Sequence, residues 1–203
     1  DEEREKFLKR IEGNPVAPTI EDQLNTLRTN GIDVPHVNVP IHNTEQVMPH
    51  IEGVELDLIV FGGTRIIRGP ILDHPKGGVI NSHPGLLPDC RGSASPAWSV
   101  YHDIPIGSTT HFCDNGIDTG DILLRREIGV QRGMTYEDLC YETLVLAGVL
   151  MKEVLMAWES NEWTSMRMKQ GESNWPTFRN APPEILEVVD QKLKEQTYAH
   201  YID

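Results

Sequence analysis

Asn81 and His83 stand one residue apart at the end of the apolar run GGVI, and Asp118 follows the strand-like segment STTHF further along the chain. Alternate residues of a strand share a face, so Asn81 and His83 project the same way if extended backbone persists through Ser82. The three side chains supply a hydrogen-bond donor for an oxyanion, a proton-carrying imidazole and an anion to orient it. That combination suits acyl transfer. Taken singly, each has a plainer reading: Asn81 as a turn or cap residue, His83 as a packed histidine, Asp118 as a turn former before Thr119-Gly120. His111, beside Phe112 in the middle of the second strand, either lies near the site or serves packing. His83, His111 and Cys113 lack paired-ligand spacing, so no metal site is expected. No nucleophile elbow surrounds any Ser or Cys, and Gly62-Gly63 lacks the spacing of a dinucleotide fingerprint.

The elements that must position these residues alternate along the chain. Residues 2–12 read as a charged surface helix. Thr19 and Asp22 form a variant capping box for a helix that stops at Gly31. IDVPHVNVP has strand alternation, with Pro35 and Pro40 favouring an edge. A helix is expected from Thr44 to Gly53, then LDLIVFGG and GGVINSHP as buried strands. SASPAWSVYH predicts a short helix, and STTHFCD and DILLRREIGV two further strands. Thr135 opens a long helix to about Ser160, with Leu139, Leu146, Leu150, Val154 and Trp158 along one stripe. A last helix runs from Pro183 to about Gln196. Together these predict an α/β fold with a Rossmann-like, mainly parallel sheet flanked by helices, with ligands beyond the strands' carboxyl ends. Residues 1–160 are expected to form this domain and 161–203 a C-terminal extension. Its Trp175, Phe178 and Arg179 either pack on the core or close over a bound molecule.

The chain has 203 residues and a net charge of -13, from 18 Lys and Arg against 31 Asp and Glu. Broad binding of a polyanion needs clustered cations, so nucleic acid is disfavoured as a partner. Cys90, Cys113 and Cys140 are scattered and odd in number, which argues against a disulfide framework and for a reducing, cytoplasmic setting. No segment reads as a membrane span.

In sequence order, Asn81, His83, Pro84, Leu86, Leu87, Pro88, Arg91 and Gly92 precede Gly107, Thr109, His111, Ile117, Asp118 and Gly120. This pattern resembles the folate-dependent formyltransferases, the group that includes glycinamide ribonucleotide, methionyl-tRNA and amino-sugar formyltransferases. The resemblance runs from about Ile32 to Trp158. It implies a cytoplasmic enzyme of one-carbon metabolism that moves a formyl group from 10-formyltetrahydrofolate to a primary amine without a metal. It makes Asn81 and His83 donors to the oxyanion, with Asp118 paired to His83. It places the pterin between two segments, Arg65-Ile66-Ile67 and Cys113-Asp114-Asn115-Gly116-Ile117. Family members open with a strand and a glycine-bearing loop that this chain does not show, so the N-terminal strand region is expected to be missing. Cys90 stands where many relatives carry an aromatic residue. A small acceptor, glycinamide ribonucleotide or a nucleotide-linked amino sugar, is expected in preference to methionyl-tRNA, whose enzymes carry a basic second domain. A formyltetrahydrofolate hydrolase is the rival enzyme, although its relatives tend to have a second histidine where this chain has Pro84. A folate-binding module without catalysis is the non-enzymatic alternative.

Overall fold

A computed structural model describes residues 19–42 and 44–202. The expected helix over 2–12 lies outside them. The chain divides into two units, residues 1–40 and 41–203; residues 161–202 therefore share a unit with the strands.

In the first unit, helix α1 (Ile20–Thr29) starts at a reciprocal capping box. Thr19 Oγ1 accepts from the Asp22 amide, and the Asp22 carboxylate accepts from the Thr19 amide. The strand expected over 32–40 does not form. Two prolines remove amide donors from the segment, and Ile32, Val34 and Val37 stay exposed instead of packing on a sheet face.

The second unit begins with α2 (Thr44–Ile51) and continues through β1 (Ile59–Phe61), a 3-10 turn (Pro70–Leu72) and β2 (Val79–His83). Next come α3 (Ser95–His102), β3 (Gly107–Phe112), β4 (Ile122–Glu127), α4 (Tyr136–Glu159), a second 3-10 turn (Trp163–Met166) and α5 (Pro183–Lys194). The sheet order is β1-β2-β3-β4. The α/β class holds, but the sheet is mixed. Only β1 and β2 run parallel, while β2–β3 and β3–β4 are antiparallel. The short link between β3 and β4 cannot make a parallel crossover, so that pair folds back on itself.

Alternation along β2 sorts the core. Ile80 faces α4, where it clusters with Phe112, Leu123 and Val154. Ser108, on the same side, donates its hydroxyl to the Thr143 carbonyl of α4 at 2.6 Å. Val79, on the opposite side, packs with Phe61, Ile67, Ile71 and Leu72. Asn81 and His83 follow Val79 on that second face, and the antiparallel register sets His111 opposite Asn81 and Thr109 opposite His83. A β-bulge between Thr110 and His111 lets the β3–β4 pair bend where the site begins. On α4 the buried stripe is Leu139, Thr143, Ala147, Leu150 and Val154. Leu146 and Trp158, expected on it, are only half-buried.

The C-terminal segment packs on the sheet domain. Val189 and Leu193 of α5 join Ala97, Val100 and Leu139 in one core, and the buried Tyr198 hydroxyl donates to the Ile104 carbonyl at 2.7 Å. Met168 exchanges two backbone hydrogen bonds with Ile122 of β4, both 2.8 Å. Phe178 and the loop after β2 are linked twice: the Phe178 amide donates to Arg91 O at 2.8 Å, and the Ser93 amide to Phe178 O at 3.1 Å. Gly92 lies between those links with φ 98, and a Cβ there would sit 2.0 Å from Phe178 O. Only glycine permits both the left-handed backbone and that approach.

Candidate active site

Asn81 and His83 reach the site from the end of β2, His111 from β3, and Asp118 from the loop after β3. His83 Nδ1 lies 3.6 Å from Asp118 Oδ2, and His111 Nε2 lies 3.6 Å from Asp118 Oδ1. The two imidazoles meet edge to face, with centroids 6.4 Å apart. Asp118 has φ 52, a left-handed conformation that aspartate tolerates better than bulkier residues. The Gly92 amide donates to its Oδ2 at 2.8 Å. Asp114 shapes the same loop from within, its Oδ1 accepting from the Gly116 amide at 2.9 Å and the Thr119 hydroxyl at 2.6 Å.

Backbone contacts settle which way the His83 ring is used. Its Nε2 lies 2.7 Å from Cys90 O, a group that can only accept, so Nε2 carries the hydrogen; Ser95 Oγ lies 3.1 Å from the same nitrogen. Nδ1 is left for Asp118 and the cleft. The loop that supplies Cys90 is itself fixed. Thr109 Oγ1 donates to Gly85 O at 2.8 Å and accepts from the Leu87 amide at 3.1 Å, while Arg125 Nη1 donates to Leu87 O at 2.7 Å. Cys90 is fully buried beside Ile104 and Phe178, with Trp98 and Trp175 packed around them. Its small side chain leaves room for those rings, and its carbonyl holds the histidine.

His111 behaves differently. Burial pushes its imidazole below the ordinary value, more strongly than the nearby Asp118 carboxylate raises it. The neutral ring donates from Nδ1 to Phe112 O at 2.8 Å. Nε2 is then a lone pair directed toward Asp118 Oδ1, with no hydrogen-bond partner among the described residues. Two acceptors beside each other make a place that draws a proton-bearing group.

Asn81, His83, His111 and Asp118 all line one cleft of about 720 Å³. So do Arg65, Ile66, Ile67, Cys113, Asp114, Gly116 and Ile117 from the two segments expected to face the pterin. Asn115 does not line it; its carbonyl instead accepts from Arg68 Nε at 3.2 Å, tying the two segments together. Ile66 is 60% exposed at the cleft, an apolar side chain left uncovered, whereas Ile67 also belongs to the core beneath. Burial pushes the Cys113 thiol up to about 12. Leu144 of α4 and Thr177, Phe178, Arg179 and Asn180 of the C-terminal segment complete the walls. The extension therefore packs on the core and borders the site as well. Sequence reading missed Ser95 and the Gly92 amide, because their contacts with His83 and Asp118 join separate segments of the chain. Among the described residues no group of three or more His, Cys, Asp or Glu is placed to hold a metal ion. No helix among them is long and apolar enough to cross a membrane.

Comparison with known proteins defines the class. The formyl transferase family profile matches residues 18–155, and the chain belongs to that family. A methionyl-tRNA formyltransferase of Clostridium perfringens is 31% identical over 153 residues, covering 70% of this chain and 49% of the relative. That of Ruminiclostridium cellulolyticum is 36% identical over 115 residues, 56% of this chain and 37% of the relative. The chain thus spans about half or less of the length of these curated relatives. Among solved structures, glycinamide ribonucleotide transformylase 1 from Symbiobacterium toebii superposes with a TM-score of 0.56 at 27% identity, covering 68% of each chain. A formyltransferase from Anoxybacillus kamchatkensis, solved with a UDP-linked formamido sugar and tetrahydrofolate, gives a TM-score of 0.62 at 21% identity. That match covers 80% of this chain and 82% of the other, and it supports the shared fold.

Proposed function

We propose that this chain transfers a formyl group from 10-formyltetrahydrofolate to a primary amine of a small acceptor, a glycinamide ribonucleotide or a nucleotide-linked amino sugar. The observation that carries this reading is the meeting of Asn81, His83, His111 and Asp118 at one cleft, beside the loops 65–67 and 113–117. The exposed Ile66 and the half-buried Ile117 suit the faces of a pterin, and the loop backbones its donor and acceptor edge. Arg65 suits the carboxylates of the folate tail.

The amine attacks the formyl carbon, forming the new C–N bond and placing negative charge on the formyl oxygen. Asn81 donates to that oxygen, and so does His83 from Nδ1 once protonated. Asp118, 3.6 Å from His83 Nδ1, accepts the proton shed by the attacking amine. Collapse of the tetrahedral intermediate breaks the bond to the folate nitrogen, which leaves with the proton that Asp118 took from the amine.

A second reading, methionyl-tRNA as acceptor, is favoured by the names of the Clostridium and Ruminiclostridium relatives; the acidic balance of this chain weighs against it. Cytoplasmic placement fits the Cys90 and Cys113 thiols. Incubation with 10-formyltetrahydrofolate and a panel of amines, including a charged initiator tRNA, tests the proposal by which product gains the formyl mass. Formate release without any amine would make the protein a hydrolase. Binding of a folate analogue with no transfer to any amine would leave only a binding module.

A further inference from the structure

Gln170 lies in the C-terminal segment, past the end of α4, and its side chain reaches the back of the Asp118 loop. Its Nε2 donates to Asp118 O at 3.0 Å and to Gly120 O at 2.8 Å. Its Oε1 accepts from Arg91 Nε at 2.7 Å, while Arg91 Nη2 donates to Gly171 O at 3.1 Å. The guanidinium can only donate, so the amide is oriented with its NH₂ toward the two carbonyls. The next residue after Arg91 is Gly92, whose amide holds the Asp118 carboxylate. A closed circuit results, running from the Asp118 carboxylate through Gly92, Arg91 and Gln170 back to the Asp118 carbonyl.

We propose that Gln170 is a positioning residue, which with Arg91 locks the left-handed turn at Asp118 and so aims its carboxylate at His83 and His111. The reason is local. Asp118 has φ 52, a conformation a non-glycine residue keeps only when its surroundings hold it. The Gly92 amide fixes the side chain at one end, and the Gln170 amide fixes the carbonyls of the turn at the other. The Gln170 contacts reach only backbone carbonyls and leave the carboxylate itself untouched. The C-terminal segment does not need Gln170 to stay in place, because Met168 pairs with Ile122 before it and Phe178 pairs with Arg91 and Ser93 after it. Loss of the amide therefore loosens the turn and leaves the fold standing.

This inference rests on the formyl-transfer reading for its kinetic arm only. The test uses the full chain with Gln170→Leu, which removes donors and acceptor, and Gln170→Glu, which keeps an acceptor for Arg91 but sets a carboxylate against two carbonyls. Both variants are expected to fold, with kcat lowered about 10- to 100-fold and KM for 10-formyltetrahydrofolate changed less than about threefold. Amide exchange at Gly92, followed by NMR, should accelerate about tenfold, because its acceptor moves with the turn. Three results overturn the inference: kcat near that of the parent in either variant, activity lost with Gly92 exchange unchanged, or failure of Gln170→Leu to fold. If the unaltered protein transfers no formyl group, the functional reading fails, and Gly92 exchange alone still decides the role of Gln170.

Discussion

Replacing Gly85 with alanine puts a methyl carbon 2.5 Å from His83 Nε2, 2.8 Å from Cys90 O and 2.8 Å from Ser95 Oγ. Ordinary contact begins near 3.4 Å, so the overlap is about 0.9 Å at the imidazole nitrogen and about 0.6 Å at each of the two oxygens. Cys90 O is backbone inside a buried cluster and the loop is tied to Thr109 and Arg125, so the imidazole is the part that must turn. Turning breaks the bond from Nε2 to Cys90 O and leaves a buried donor without its partner, at a cost of about 1–3 kcal/mol. Carried into the transition state, that corresponds to a fall in kcat of roughly 5- to 150-fold. Steady-state formyl transfer measures the loss, with KM for the folate little changed, since the pterin-facing loops are not disturbed. Gly148→Ala in α4 is the control, because its Cβ meets nothing within 4 Å; it should keep full activity and gain about 0.5–1 kcal/mol of stability. A Gly85→Ala protein with parent kcat would refute the role assigned to the Cys90 carbonyl.

Asn81→Ala and Asp118→Ala should each leave a folded protein with kcat lowered about two to three decades, read by formyl transfer and checked by thermal melting. Stability should depend on pH through His111. Its folded value lies below the unfolded one, so the contribution is full above the ordinary histidine value and is lost as pH falls through the folded value. Melting followed from pH 8 to pH 5 should show that decline, and His111→Asn should flatten it. Tyr198→Phe removes the hydroxyl from Ile104 O and should lower stability by about 1–2 kcal/mol with kcat unchanged, measured by denaturant unfolding.

Much of the site was legible because its chemistry is carried by short spacings. Asn81 and His83 share a strand face by alternation alone, and the Thr19 and Thr135 caps formed where Asp follows three residues later. Apolar runs located β1 and β2, whose cores fill both faces. The alternation in residues 32–40 misled, since a periodic pattern cannot report whether a neighbouring strand is there to pair with it.

The residue order alone determined which polar side chains could do chemistry and which local elements carry them, because strand alternation and helix caps act over a few residues. Tertiary structure alone decided that β2 and β3 run antiparallel, that Cys90 O selects the His83 tautomer, and that Gln170 reaches Asp118. Each of these is a contact made through backbone atoms or across long sequence separations. A backbone carbonyl is the same in every residue, so nothing in the one-dimensional chain marks the one that will hold the His83 ring.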